Sequence, residues 1–324
     1  MALLEVENLQ VNFRTHSSLV QAVNGISFSI EEGETLGLVG ETGAGKTTTA
    51  MSILRLLSER TAEYADGKIT FEGQELLHAD EKELQKVRGR KISMIFQDPM
   101  TALNPTMPVL DQIMECVEIH DHVSKQEAKE KAEEILETVG IPAARGKEFP
   151  HQFSGGMKQR VVIAMALVCS PKLLLADEPT TALDVTIQAQ ILEMIQELKK
   201  KNNTAMLLIT HDLGVVAENC DRVAVIYAGE IVEYGNLEQI FEKTAHPYTE
   251  GLFDSLPSLD KMVDRLKPIP GMMPDPANLP EGCKFHSRCK YATDVCKSIH
   301  PEMVDLGEGH QVRCHNYQER KEEA

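Results

Sequence analysis

Apolar and polar residues alternate through Leu3-Leu4-Glu5-Val6-Glu7-Asn8-Leu9-Gln10-Val11-Asn12-Phe13, which predicts a strand with one buried face. Val20 to Ile30 alternates again, and Glu31-Glu32-Gly33-Glu34 supplies the turn after it. Thr35-Leu36-Gly37-Leu38-Val39 is a short continuous apolar run, as a strand buried on both faces would be. Ile92 to Phe96, Lys172 to Ala176 and Ala205 to Thr210 read as further strands, and Arg222–Tyr227 with Glu230–Glu233 as a hairpin around Ala228-Gly229. Helical spacing runs from Thr47 to Leu57, Ser154 to Val168 and Val185 to Lys200. Ser124 and Glu127 form a capping box ahead of apolar Ala128, Ala132, Ile135, Leu136 and Val139, and Gly140 with Pro142 stops that helix. Strands alternating with helices predict an α/β fold with a mostly parallel sheet, interrupted by a helical insert.

The chain has 324 residues, 42% of them hydrophobic and 26% charged, enough for a sizeable core and more than one structural unit. The formal net charge of -17 argues against a general nucleic-acid binder, which presents a basic face to phosphate. The start, Met-Ala-Leu-Leu-Glu-Val-Glu-Asn, does not read as a signal peptide, and no apolar run reaches the ~20 residues that span a bilayer. Any membrane attachment is expected to be peripheral, through a partner. From Pro257 the composition shifts, with Pro268, Pro270, Pro274, Pro276 and Pro280 punctuating a loop-rich tail.

Two stretches carry phosphate chemistry. Gly40-Glu41-Thr42-Gly43-Ala44-Gly45-Lys46-Thr47, followed by Thr48, lies between a predicted strand and a predicted helix, the context of a phosphate-binding P-loop. Its backbone N–H groups and the helix N-terminus would face the phosphates. Lys46 would reach the β- and γ-phosphates, and the Thr47 hydroxyl would ligate Mg²⁺. Leu173-Leu174-Leu175-Ala176-Asp177-Glu178 is an apolar strand ending in two acids. Asp177 would hold Mg²⁺, directly or through water, and Glu178 would be the general base for the attacking water.

Phe153-Ser154-Gly155-Gly156-Met157-Lys158-Gln159-Arg160 resembles the signature motif of ABC ATPases, with Phe153 in place of Leu and Met157-Lys158-Gln159 extending its end. The resemblance implies a P-loop (RecA-like) ABC ATPase core at 1–97 and 154–245, an inserted α-helical subdomain at 98–153, and a Cys-rich extension at 246–324. It implies that Gln97 is the Q-loop residue sensing Mg²⁺ and water, that His211 is the switch histidine at the γ-phosphate, and that Asp184 in Ala182-Leu183-Asp184 is the D-loop acid. Ser154, Gly155 and Gly156 would bind the γ-phosphate of ATP held by a second subunit, so ATP would close two subunits head to tail. The adenine-stacking position falls near Thr15 or His16, with Phe13 close by, and stays open.

His246-Pro247-Tyr248-Thr249-Glu250-Gly251-Leu252-Phe253, Ser255-Leu256-Pro257, and Pro280-Glu281-Gly282-Cys283-Lys284-Phe285-His286-Ser287-Arg288-Cys289 resemble the C-terminal motif of oligopeptide/dipeptide importer ATPases. So does Phe96-Gln97-Asp98-Pro99-Met100-Thr101-Ala102-Leu103-Asn104-Pro105. The resemblance implies a subunit at the cytoplasmic face of the cell membrane that powers peptide uptake. Its partners would be a second, distinct ATPase, two permease subunits and an extracellular peptide-binding protein, with no nucleic acid. Nickel and other small solutes share these motifs. A soluble ABC ATPase acting on DNA or ribosomes is the alternative from another class, and a metal-sensing regulatory protein is a third.

Cys116, Cys169 and Cys220 read as small buried apolar residues. Cys283, Cys289, Cys296 and Cys314 follow C-x5-C-x6-C-x17-C, unlike the C-x2-C pair of zinc ribbons. Some dipeptide-type members of the resembled family carry a [4Fe–4S] cluster at these positions. Zinc, or free thiols and disulfides, are the alternatives, and a structural metal would pin a tail with little core of its own.

Overall fold

The computed structural model describes residues 2–15, 18–121, 123–180, 184–255 and 268–317. They divide into two compact units. One holds Met1–Leu3, Ile30–Thr35 and His78–Ile209, the other Leu4–Ser29, Leu36–Leu77 and Thr210–Ala324.

In the second unit Leu4–Arg14 lies between Leu19–Ile30 and Ala62–Phe71 in a four-stranded sheet edged by Gln74–Glu75. Leu4–Arg14 and Ala62–Phe71 pair antiparallel, with Leu4 opposite Phe71 and Phe13 opposite Ala62. The sheet is therefore separate from the parallel one expected of the alternating elements. Its ladder breaks between Glu7 and Gln10, where Asn8 takes φ 46° and Gly67 φ 110°, the local kink of a bulge. The Asn8 amide also donates to the Asp66 carboxylate at 2.7 Å.

The same unit contains the hairpin Arg222–Tyr227 and Glu230–Asn236, with Glu230 opposite Tyr227. Ala228 and Gly229 both have positive φ, 47° and 80°, as a two-residue type I′ turn requires. Leu36 to Val39 run parallel to Arg222 to Val225, and the helix Lys46–Ile53 follows. That helix is shorter than its apolar spacing predicts, because Arg55 enters the left-handed region at φ 49°. Helices Leu213–Asn219, Leu237–Glu242 and Pro247–Asp254 also belong to this unit.

In the first unit Ile92–Ile95, Leu173–Asp177 and Ala205–Thr210 run parallel, with Ile92 opposite Leu173 and Leu173 opposite Ala205. All three strands are buried throughout, which explains their lack of alternation. The helical part contains Val109–Asp121 and Lys125–Thr138. Ser124 and Glu127 close the expected capping box, and Ala128, Ala132 and Leu136 are fully buried. Asp121 joins this pair by its ion pair to Lys131 and also pairs with Arg90. Gly155–Leu167 and Val185–Asn202 are the remaining long helices of the unit.

Candidate functional site

The strand Thr35–Val39 delivers the chain into the glycine loop at Gly40. A Cβ on Gly40 would stand 2.2 Å from the Ile226 carbonyl oxygen, so only glycine lets the strand end this close to its neighbour. Gly45, at φ 105°, caps the helix Lys46–Ile53, and a Cβ there would stand 2.5 Å from the Ala22 carbonyl. The hairpin turn backs the loop, with the Gly229 N–H donating to the Ala44 carbonyl at 2.9 Å. Lys46 is 6% exposed. Its ammonium folds across the loop and donates to the carbonyls of Gly40 at 2.7 Å and Glu41 at 3.0 Å. Thr42, Gly43 and Thr47 are exposed beside it, and Thr48 is half-buried. A rigid cradle with a cation and a helix N-terminus suits a polyphosphate.

The strand Leu173–Asp177 ends with Asp177 buried at 2% exposure. Glu178 then takes φ 46°, a left-handed conformation that costs a glutamate about 1–3 kcal/mol and marks a constrained position. Its N–H donates to the Ile209 carbonyl at 2.9 Å, and its carboxylate accepts from the Gln97 amide at 3.0 Å. Gln97 and Glu178, 81 residues apart, are thus brought together.

Ser154 caps the helix Gly155–Leu167, accepting from the Met157 N–H at 3.4 Å. Ser154 and Gly155 are exposed and Gly156 is half-buried. A Cβ on Gly155 would meet nothing within 4 Å, so this helix N-terminus opens outward. Gln159, whose role sequence reasoning missed, is buried, and its amide donates to the Pro179 carbonyl beside Glu178. Its sequence signal was its place at the end of the Ser154-Gly155-Gly156 motif, which did not foretell the contact with Pro179.

Asp184 caps the helix Val185–Asn202, accepting from the Ile187 N–H at 3.0 Å. Ala182 and Leu183 lie outside the described residues. His211 is exposed after the strand Ala205–Thr210, and Asp212 next to it caps the helix Leu213–Asn219. Of the adenine positions, Phe13 is half-buried, and the Thr15 hydroxyl donates to the Ser18 carbonyl at 2.9 Å. His16 lies outside the described residues.

Residues 23–181 match the family model described as ABC transporter, and residues 232–296 match the one described as oligopeptide/dipeptide transporter, C-terminal region. The chain is 50% identical over 323 residues to the dipeptide transport ATP-binding protein DppD of Bacillus subtilis, covering 99% of this chain and 96% of that protein. The chain belongs to the ATP-binding subunits of ABC transporters. It is 52% identical over 314 residues to the oligopeptide transport ATP-binding protein OppD of the same organism, covering 96% of this chain and 88% of that protein. Among solved structures it is similar to the dimeric post-hydrolysis state of the ATP-binding cassette MJ0796 bound to ADP and Pi. That likeness has a TM-score of 0.66 and 26% identity, over 72% of this chain and 98% of that one. The fold is accordingly the α/β ABC ATPase cassette, and the chemistry of this ABC subunit is ATP hydrolysis. No helix among its described residues is long and apolar enough to cross a membrane.

The C-terminal region of this ABC subunit docks through polar and aromatic contacts of its own. Glu233, fully buried in the hairpin, accepts from the Ala245 N–H at 2.7 Å and the His246 N–H at 3.0 Å, and its other contact is His310 at 3.0 Å. His300 contacts Glu230 at 2.8 Å. Phe285, 3% exposed, stacks edge-on against Tyr227 at 5.1 Å and tilted against Tyr248 at 5.4 Å. Phe285, His300 and His310 thus tie the tail to the hairpin and to Tyr248.

Cys283, Cys289, Cys296 and Cys314 are free thiols. The Cys283 N–H donates to the Cys296 carbonyl at 2.8 Å. Burial pushes the Cys283 thiol up to about 12, with Cys314, Cys296 and Cys289 adding to the effect. Burial pushes Cys314 up to about 11 and raises Cys289. The four are thus neighbours in charge. Yet no group of three or more His, Cys, Asp or Glu among the described residues is placed to hold a metal ion. Cys169 and Cys220 are buried as expected, whereas Cys116 is half-buried.

Proposed function

We propose that this chain is the ATP-hydrolysing subunit that powers uptake of oligopeptides or dipeptides through a multi-subunit ABC transporter. The observation that carries the solute is the match at residues 232–296, beyond the 23–181 that match the general ABC transporter model, to the oligopeptide/dipeptide transporter C-terminal region. Full-length identity of about half to dipeptide and oligopeptide transport proteins supports it.

In this reading the amides of Gly40 to Thr48 and the Lys46 ammonium hold the phosphates of ATP. Thr47, Gln97 and Asp177 would hold Mg²⁺, which would supply positive charge beside the phosphate oxygens. Glu178, oriented by its left-handed backbone and by the Gln97 amide, takes the proton of the attacking water. His211 contacts the γ-phosphate. The open N-terminus at Ser154, Gly155 and Gly156 meets nucleotide on a second ATPase subunit, with Asp184 nearby. Core 1–97 and 154–245, helical insert 98–153 and extension 246–324 remain the working division. Phe96, 43% exposed, lies beside an apolar recess of about 230 Å³ lined by Met94, Ala102, Val162 and Met165. That recess suits a permease loop. A distinct second ATPase, two permeases and an extracellular peptide-binding protein complete the assembly, placing the chain at the cytoplasmic membrane face.

The tail cysteines enter this proposal as thiols. The [4Fe–4S] reading, with zinc as its alternative, is tested by metal and sulfide analysis of anaerobically purified protein. The transport function is tested by mild-detergent purification of the tagged chain from its native membrane. Co-purifying permeases and a peptide-binding protein, with peptide-stimulated ATPase activity, are expected. Recovery with nucleic acid or ribosomes would overturn the transport reading, and stimulation by nickel but not peptides would overturn the solute.

A further inference from the structure

Glu41 is an odd residue for a phosphate cradle, because its carboxylate carries the same sign as the ligand. Its surroundings resolve the oddity. Arg288 donates to both carboxylate oxygens, Nη1 to Oε2 at 2.8 Å and Nη2 to Oε1 at 3.0 Å. This is the two-pronged geometry that makes arginine–carboxylate pairs strong and directional. The Arg288 side chain is 5% exposed. Its remaining donors are fixed as well, Nε on the Pro270 carbonyl at 2.9 Å and Nη2 also on the Ile269 carbonyl at 3.3 Å. Nη1 also reaches the Tyr227 hydroxyl at 3.4 Å, and the guanidinium lies 6.0 Å from the Phe285 ring centroid.

A second hold comes from Tyr248, fully buried, whose hydroxyl accepts from the Glu41 N–H at 2.9 Å. Burial raises the Tyr248 phenol, keeping it neutral. The Glu41 carbonyl in turn accepts from the Lys46 ammonium at 3.0 Å. Further along the loop, the Met273 methyl would lie 3.3 Å from a Cβ on Gly43. Three tail residues therefore reach the glycine loop, and two of them, Arg288 and Tyr248, bond Glu41, whose carbonyl accepts from Lys46.

We propose that Arg288 is a positioning residue for the phosphate loop, acting through Glu41, so that the C-terminal extension is a working part of the nucleotide site. Arg288 does two things there. It cancels the Glu41 charge that would otherwise repel phosphate, and it fixes the Glu41 peptide on which Lys46 rests. This inference rests on the reading that Gly40 to Thr48 hold nucleotide phosphates.

The test is the affinity of the full chain for MgATP by titration calorimetry, with KM for ATP and kcat measured in the assembled transporter. Arg288→Ala is expected to bind about tenfold more weakly, the loss of one charge-assisted contact, and to raise KM for ATP more than it lowers kcat. Arg288→Lys should recover part of the loss. The double variant Glu41→Gln with Arg288→Ala should bind within about threefold of the parent, because the uncancelled charge has gone. Wild-type affinity in Arg288→Ala, or an equal loss in the double variant, would overturn the proposal. If Arg288→Ala does not fold, Arg288→Lys and the double variant decide. Lys46→Ala is the control for the underlying reading. Undiminished MgATP binding in that variant would overturn the phosphate-loop assignment itself, whereas abolished binding there alongside normal binding in Arg288→Ala would sink the Arg288 role alone.

Discussion

Two helix N-termini in this molecule have similar sequence chemistry and opposite surroundings. The helix Lys46–Ile53 begins inside a loop whose glycines are pressed against the Ile226 and Ala22 carbonyls and whose lysine is buried. The helix Gly155–Leu167 begins at exposed Ser154 and Gly155, with open space around them. Both present a helix N-terminus suited to an anion. The first is walled in by its own chain and needs no other surface to be shaped. The second has its shape from Ser154 and from buried Gln159, and its outward side is left for something else to cover. In the proposed function, the enclosed end serves nucleotide held by this chain, and the open end serves nucleotide held by a second subunit.

The sharpest break between binding and chemistry is Glu178→Gln. Hydrolysis should fall by about 10³-fold, the scale of a lost general base, while MgATP binding persists and a closed dimer accumulates. Phosphate release and gel filtration with ATP check both halves. Gly155→Asp tests the open helix. A Cβ there meets nothing, so the fold should survive, but a carboxylate at the anion-facing end should lower hydrolysis about 100-fold. MgATP affinity of the isolated chain should stay unchanged, and a matched loss of affinity would erase the contrast between the two N-termini.

Gly40→Ala tests the enclosed loop. The 2.2 Å approach to the Ile226 carbonyl should cost about 1–3 kcal/mol of stability and weaken nucleotide binding, read by denaturant melts and titration. The smallest effect concerns the thiols of the first unit. Burial pushes Cys116 and Cys169 each up to about 11, above the ordinary thiol. Both should resist alkylation at pH 8, with rates rising about tenfold per pH unit toward pH 11 as thiolate forms. Their stabilising contribution, held below the unfolded thiol pKa, should fade across the same interval, because the unfolded chain ionises first. Mass spectrometry of alkylated peptides measures the first effect.

What sequence reasoning reached in this molecule was local. The glycine loop, the Ser124–Glu127 capping box and the Ala228-Gly229 turn are each set by residues a few positions apart, and each stands where its spacing put it. The strand Ala62–Phe71 escaped, because its middle, Asp66-Gly67, looks like a turn and its partner lies some 58 residues earlier, as the Asn8–Asp66 contact records. The approach of Gln97 to Glu178 was foreseeable as membership of one motif set, not as a 3.0 Å contact. Arg288 on Glu41, spanning 247 residues, leaves no periodicity at all. The tail looked coreless because its contacts are single aromatic and charged residues between prolines, with no repeating apolar face.

Glu233 has a temporal consequence. Its carboxylate is destined for full burial, yet one of its contacts, His310, lies 77 residues downstream. At synthesis rates of about 5–20 residues per second, the ribosome reaches that histidine roughly 4–15 s after the hairpin strand has been made. Until then the nascent cassette carries an acid lacking part of its final surroundings. The surroundings of this buried carboxyl are thus completed only after His310 has been made, and a chain truncated before it would leave Glu233 without that contact.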